Sequence, residues 1–216
     1  MARDLLGRVL CRRLPGGDVL RVRITEVEAY VGVEDRACHS YGGRRTARTA
    51  TMWGPAGHAY VYLIYGMYDC LNIVSRGEGH PEAVLIRAAE PLEGEEFWNL
   101  EFPGQKHQDL LKGPGKLCRA LRITRAQNAV SLLGDELWIE EGVKTPSSRV
   151  SVSPRIGVDY AGACAGRLLR FFETESKTVS GPARFNQEWK KSAPAPRSPA
   201  GKSPARRESR KPSRSR

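Results

Sequence analysis

Along residues 19 to 30 apolar and polar positions alternate with the period of two that marks a β-strand. The alternation puts Val22, Ile24, Glu26, Glu28 and Tyr30 on one face and Arg21, Arg23, Thr25, Val27 and Ala29 on the other. Ahead of it, residues 2 to 14 read as a short helix or helix end running into a strand, and Pro15-Gly16-Gly17-Asp18 is a turn signal, so a hairpin is predicted there. Residues 32 to 57 lack periodicity and contain Gly42-Gly43, which predicts a long surface loop with a short helical turn. Apolar runs at 58 to 68, 69 to 74 and 83 to 88, joined by short turns, predict two or three antiparallel strands. Residues 95 to 111 form a helix candidate broken at Pro103-Gly104, and 116 to 121 have helical spacing after Gly113-Pro114-Gly115. Further strands are expected at 136 to 140, 155 to 158 and 168 to 172. The predicted class is α+β (mixed α/β): a single compact domain over residues 1–189, built on a curved, largely antiparallel sheet with flanking helices.

Composition changes that picture at one end only. The 216 residues carry 35 Lys+Arg and 24 Asp+Glu, a net +11, but residues 190–216 hold ten Lys/Arg and one Glu, which leaves the body near neutrality at +2. From Lys190 onward the chain is Lys, Arg, Ser, Pro, Ala, Gly and one Glu, with nothing to offset the entropy of ordering, so a disordered basic tail is expected. Such a tail suits an import signal, a nucleic-acid tether or a solubilising extension, and it suggests a nuclear protein. No apolar run approaches the ~18 residues of a spanning helix, and no signal peptide is expected behind the charged Met1-Ala2-Arg3-Asp4 start, so no membrane partner is expected. The five cysteines (Cys11, Cys38, Cys70, Cys118, Cys164) are scattered and form no Cys-x-x-Cys pair, which argues for a reducing compartment and against a zinc site.

Three groups of residues could carry chemistry. Tyr60, Tyr62, Tyr65 and Tyr68 fall within nine residues, and a strand would aim Tyr60 and Tyr62 to one side and Tyr65 to the other. They either pack as strand aromatics or stack on nucleobases, an interaction contributing ~1–3 kcal/mol per base. Glu26 and Glu28 share a face with apolar residues, so each needs a partner, and Arg87 at the end of an apolar run could supply one. A carboxylate held ionised beside a water suits general-base hydrolysis, and the same pair equally suits a structural ion pair. Side chains at i and i+2 on one strand face lie ~6–7 Å apart and do not normally straddle a glycosidic bond. His39 lacks metal-type partners at a recognised spacing, and Gly113-Pro114-Gly115-Lys116 reads as a helix-entry turn rather than a nucleotide loop.

With these residues in hand, the order of motifs resembles the 3-methyladenine DNA glycosylase family of the alkyladenine (N-methylpurine) type. The matching pieces are Ala2-Arg3-Asp4-Leu5-Leu6-Gly7, Thr25-Glu26-Val27-Glu28-Ala29-Tyr30, Glu34-Asp35, His39-Ser40 with Gly42-Gly43-Arg44, and the run from Tyr60 to Tyr68. Cys70-Leu71-Asn72-Ile73, Val84-Leu85-Ile86-Arg87-Ala88, Glu90-Pro91-Leu92-Glu93-Gly94, Gly113-Pro114-Gly115-Lys116-Leu117 and Pro154-Arg155-Ile156-Gly157-Val158 follow in family order.

The resemblance implies a monomeric, monofunctional enzyme without metal or cofactor. It would act on double-stranded DNA, cutting the N-glycosidic bond of 3-methyladenine, 7-methylguanine, hypoxanthine or ethenoadenine. It further implies that Glu28 is the general base and Arg87 its positioning partner, that Tyr30, His39 and Tyr62 sandwich the flipped base, and that Asn72 and Leu85 line the pocket, Asn72 excluding guanine. Tyr65 would be the wedge that enters the duplex, with Arg44, Arg45 and Lys116 on the DNA backbone. Further helical sequence usually precedes the Ala2–Gly7 motif in that family, and the loop at Arg45 to Thr49 lacks the family's usual Pro and Asn. The alternative is a catalytically inert nucleic-acid-binding domain of the same fold.

Overall fold

The apolar stretches on either side of Pro15-Gly16-Gly17-Asp18 pair as a hairpin. β1 (Val9–Arg13) and β2 (Val19–Tyr30) run antiparallel with Leu10 opposite Val22. The structure is a computed structural model and describes residues 1–190; apart from Lys190, the expected basic tail lies outside the described residues. β3 (Ala59–Ile64), β4 (Tyr68–Val74), β5 (Ala83–Glu93) and β6 (Leu137–Glu140) extend the sheet in the order β3-β4-β5-β2-β1-β6. β7 (Val150–Ser153) pairs with β8 (Arg170–Glu173), and β8 pairs with the second half of β2. Every pairing is antiparallel. β5 occupies one edge of β2 along its length, so the other edge passes from β1 to β8 partway along, and the sheet curls there.

That handover corrects the expected faces of β2. The register against β5 shifts between Ile24 and Glu26 and again between Glu26 and Val27. A β-bulge places an extra residue in the ladder and reverses the side-chain alternation beyond it. Val22, Ile24 and Val27 therefore all enter the main core. Thr25 and Glu26 both turn to the 178–180 segment, where the Thr25 and Thr178 hydroxyls lie 2.8 Å apart and the Ser180 amide donates to Glu26 at 2.6 Å. Glu28 points away from the main core as well, to the Ile156 amide. The two carboxylates thus do not share a face with Val22 and Ile24. Arg87 is the odd residue on β5, between Ile86 opposite Val27 and Ala88 opposite Glu26.

Two further expectations change. Residues 155 to 158 form no strand, and the strand lies upstream as β7. The Ile156 amide is spent on Glu28 and Gly157 takes φ +75°, outside the extended range of a regular strand. Tyr65 does not alternate with Tyr62 on one strand, because β3 ends at Ile64 and Tyr65 opens the hairpin turn, at φ +53° beside Gly66 at +69°. From that turn Tyr65 lines the same cavity as Tyr62.

The predicted helix over 95 to 111 is split as the Pro103-Gly104 signal requires, into α1 (Glu95–Glu101) and α2 (His107–Leu110). α3 (Pro114–Ala120) starts with proline at its first turn, where a missing amide costs nothing. Its Leu117 and Leu121, just beyond, join Trp98, Leu71, Ile73 and Ile86 in the core, each contributing about 1.5–3 kcal/mol by burial. Gly115 lets α3 approach β4 closely, since a Cβ there would lie 2.9 Å from that of Tyr68. A last helix, α4 (Ala183–Lys190), was not anticipated.

Candidate active site

The bulges of β2 and β5 bring Glu26, Glu28 and Arg87 together between the sheet and the 153–180 segment. Glu28 is fully buried. Its Oε1 accepts the Ile156 amide at 2.8 Å, and its Oε2 accepts the Tyr30 hydroxyl at 3.0 Å and stands 3.2 Å from Arg87 Nη1. Arg87 Nε donates to Glu26 Oε1 at 2.9 Å, and its Nη2 reaches Ser180 Oγ at 3.0 Å. Glu26 also accepts from Arg170 Nε at 2.6 Å and from the Ser180 hydroxyl at 3.0 Å. Two carboxylates and two guanidiniums therefore balance in charge inside the protein. Burial alone would favour the neutral carboxyl of Glu26, but Arg87, Arg170 and the Ser180 amide outweigh it and hold the group below the usual carboxylate range. Burial likewise opposes the charge of Arg87, and Glu28 and Glu26 more than restore it.

Beside this cluster opens a cavity of about 600 Å³, within the ~300–1,000 Å³ usual for small-molecule sites. Tyr30, His39, Tyr62, Asn72, Leu85 and Arg87 all line it. Glu28 does not: it sits behind the wall that Tyr30 and Arg87 make. The His39 ring meets Tyr62 edge-on at 4.5 Å and shares a 2.9 Å hydrogen bond with the Tyr60 hydroxyl. Burial, reinforced by the charges of Arg48 and Arg44, lowers the His39 pKa to about 4, so the ring is neutral at physiological pH. Burial pushes the Tyr30 hydroxyl well above the usual phenol range, and the Glu28 carboxylate adds to the shift. Asn72 is anchored through its Nδ2, which donates to the Tyr60 carbonyl at 3.1 Å.

At the mouth stand Tyr65, 79% exposed, and Lys116 from the first turn of α3. Arg44 and Arg45 are exposed and lie outside the lining, with the Arg45 guanidinium 5.6 Å over the Trp53 ring. Several contributors were missed from sequence. Arg48 stacks its guanidinium 5.1 Å from the Tyr62 ring and bonds the Leu63 carbonyl at 3.2 Å. Arg155 pairs with Asp35, Nη2 to Oδ1 at 2.8 Å, with both side chains fully buried, and pins the start of the loop that carries His39. Tyr160 adds an exposed ring to the cavity. Nothing in the residue types of Pro154 to Val158 signals that the Ile156 amide faces a carboxylate.

A concave aromatic wall with a buried, arginine-paired carboxylate behind it makes a cavity suited to flat ring systems. The sequence model described as methylpurine-DNA glycosylase matches residues 1–177. A Methanocella arvoryzae protein carrying the provisional name 3-methyladenine DNA glycosylase is 52% identical over 182 residues, covering 83% of this chain and 89% of that protein. The human DNA-3-methyladenine glycosylase is 46% identical over 191 residues, covering 83% of this chain and 63% of the human protein. A Clostridium acetobutylicum protein with the same provisional name is 48% identical over 190 residues, covering 83% and 91%. The chain belongs to the methylpurine-DNA glycosylase family. It is accordingly a DNA-repair enzyme of the glycosylase class, with DNA as its substrate.

Proposed function

We propose that the chain removes alkylated and deaminated purines, among them 3-methyladenine, 7-methylguanine, hypoxanthine and ethenoadenine, from double-stranded DNA. The observation that carries this reading is the buried Glu28 carboxylate, paired with Arg87 at 3.2 Å directly behind an aromatic cavity whose mouth carries an exposed tyrosine. A base inside a duplex is out of reach, so the nucleotide is flipped, the base enters the cavity, and Tyr65 fills the vacated stack. Tyr30, His39 and Tyr62 offer electron-rich faces, which attract the positive charge of an N-alkylated purine. The neutral state of His39 matters here, since an imidazolium would repel such a base. Asn72, fixed through its Nδ2, stands where an exocyclic amino group of guanine meets it.

Glu28 then takes a proton from water as the water oxygen bonds to the anomeric carbon. The glycosidic bonding pair departs with the purine, leaving an abasic site. A carboxylate has about four lone-pair sites, and three donors occupy Glu28, so room for one water remains. Tyr30 cannot replace it as base, because its phenolate is disfavoured by burial and by Glu28 itself. No lyase step is included.

The test is incubation with duplexes carrying a single hypoxanthine or ethenoadenine. Free base should appear along with a strand that breaks only after alkali, and an undamaged duplex should yield neither. Binding without base release would make the chain an inert binder, and strand nicking without alkali would contradict the monofunctional reading.

A further inference from the structure

We propose that Glu26 is a positioning residue of the excision chemistry, clamped by Ser180, Arg170 and Asn186 so that Nη1 of Arg87 stays aimed at Glu28. The proposal rests on Glu28 being the general base. Arg87 presents a planar fork of donors. Nε bonds Glu26 Oε1 at 2.9 Å, while Nε and Nη2 reach Ser180 Oγ at 3.3 and 3.0 Å. With that side of the fork tied down, the plane cannot turn, and Nη1 alone is left for Glu28 at 3.2 Å. Without Glu26 the fork is free to close on Glu28 in a two-point pair. That pairing would take the remaining lone-pair site, the one a water needs.

The clamp is itself held from further along the chain. Arg170 is fully buried and donates Nε to Glu26 at 2.6 Å and Nη2 to Asn186 Oδ1 at 2.9 Å. Asn186, on α4, returns its Nδ2 to the Ser180 carbonyl at 2.9 Å. Ser180 and Asn186 lie past residue 177, where the family match ends, yet Ser180 is linked to Glu28 through Arg87 and Asn186 through Ser180 and Arg87. A buried ionic cluster of this kind adds little net stability over apolar packing, so stability alone does not account for it.

The experiment measures single-turnover excision of hypoxanthine and, separately, affinity for a duplex containing an abasic site, for Ser180→Ala, Asn186→Ala and Glu26→Gln. Ser180→Ala should slow excision about tenfold, and Glu26→Gln about a hundredfold or more, since a misplacement of ~1 Å can cost ~100-fold in rate. Asn186→Ala should slow it by roughly threefold, being one link further away. Affinity for the abasic duplex should stay within about twofold for all three. If Glu26→Gln does not fold, Ser180→Ala carries the test, because it removes one hydroxyl and keeps the backbone bond to Glu26. Wild-type rates in Ser180→Ala and Asn186→Ala would overturn the proposal, as would losses of rate and affinity that run in parallel with the folded fraction. A Glu28→Gln control separates the two claims. Full activity in it sinks the general-base reading, whereas an inactive control beside unaffected Ser180→Ala and Asn186→Ala sinks only the positioning role.

Discussion

Replacing Tyr65 by alanine separates a DNA-contacting role from a structural one. Tyr65 is 79% exposed at the tip of the β3–β4 hairpin, and the turn beneath it is held by the Met67 amide on the Ile64 carbonyl at 3.1 Å and by the Ile64–Tyr68 pairing. None of those contacts uses the Tyr65 side chain. Its backbone sits at φ +53°, a conformation as unfavourable for alanine as for tyrosine, so the substitution does not relieve that strain. Folding stability should therefore change by no more than about 0.5 kcal/mol, the usual range for surface positions. Binding is another matter. A ring stacked in a vacated duplex position contributes ~1–3 kcal/mol, and its loss should weaken binding to an abasic duplex about 5- to 150-fold. Fluorescence anisotropy at one fixed salt concentration measures the affinity, and thermal melting followed by circular dichroism measures stability. Tyr65→Phe, which keeps the ring, should bind nearly as wild type does. Unchanged affinity in Tyr65→Ala would refute the wedge, and a melting temperature lowered by more than about 4 °C would show that the side chain supports the fold.

Other expectations follow from the same geometry. Asp35→Ala strands the buried Arg155 guanidinium and should cost about 3–5 kcal/mol, a drop of roughly 6–20 °C in melting temperature; a drop below 2 °C would mean that the pair is not a buried anchor. Tyr30→Phe keeps the ring and uncovers Oε2 of Glu28, so single-turnover excision should stay within a few-fold of wild type, whereas a hundredfold loss would make the hydroxyl a participant in proton transfer. Acidification should destabilise the protein in two stages. His39 is neutral in the folded chain, with its pKa at about 4 against 6.5 when unfolded, so protonation favours the unfolded chain and stability falls as pH drops from 6.5 towards 4. Glu26, Asp35 and Glu173 are shifted down from ordinary values of 4.5, 3.8 and 4.5, so the stability they add is complete above that range and is lost as pH falls through it and below. Urea unfolding at pH 7.5, 5.5, 4 and 3 should show both stages, and His39→Gln should lack the first; identical profiles for the two proteins would exclude His39 as its source.

Much of this was legible in the chain because strand periodicity and turn residues are local signals. β2 has its predicted bounds, the hairpin at Pro15 to Asp18 forms, and the break at Pro103-Gly104 divides α1 from α2. The faces of β2 were not legible. A bulge is set by how β2 meets β5 and β8, and no local residue type in Ile24-Thr25-Glu26 announces it. The place of Tyr65 was not legible either, since it lies in a turn whose first residue adopts positive φ without being glycine, and it lines the same cavity as Tyr62 rather than an opposite face of one strand. Arg87 could be offered from sequence as a partner for Glu26 and Glu28 because it is a lone charge at the end of an apolar run. The Ile156 amide, Ser180, Arg170 and Asn186 could not, because only the tertiary path of residues 150–190 brings them to Glu26 and Glu28.

The central claim is that Glu28, buried and ion-paired, activates the water that cuts the glycosidic bond. Glu28→Gln keeps the shape and can still accept from the Ile156 amide, but it removes the base, so it isolates chemistry from folding and binding. Measured as single-turnover excision of hypoxanthine from a duplex under saturating enzyme, the variant should still fold and bind DNA, with a lowered melting temperature because the buried Arg87 loses one of its two counter-charges. It should release base at least about 100-fold more slowly, within the ~10²–10⁴-fold typical of a lost general base. Release at the wild-type rate by a folded, DNA-bound Glu28→Gln protein would contradict the account.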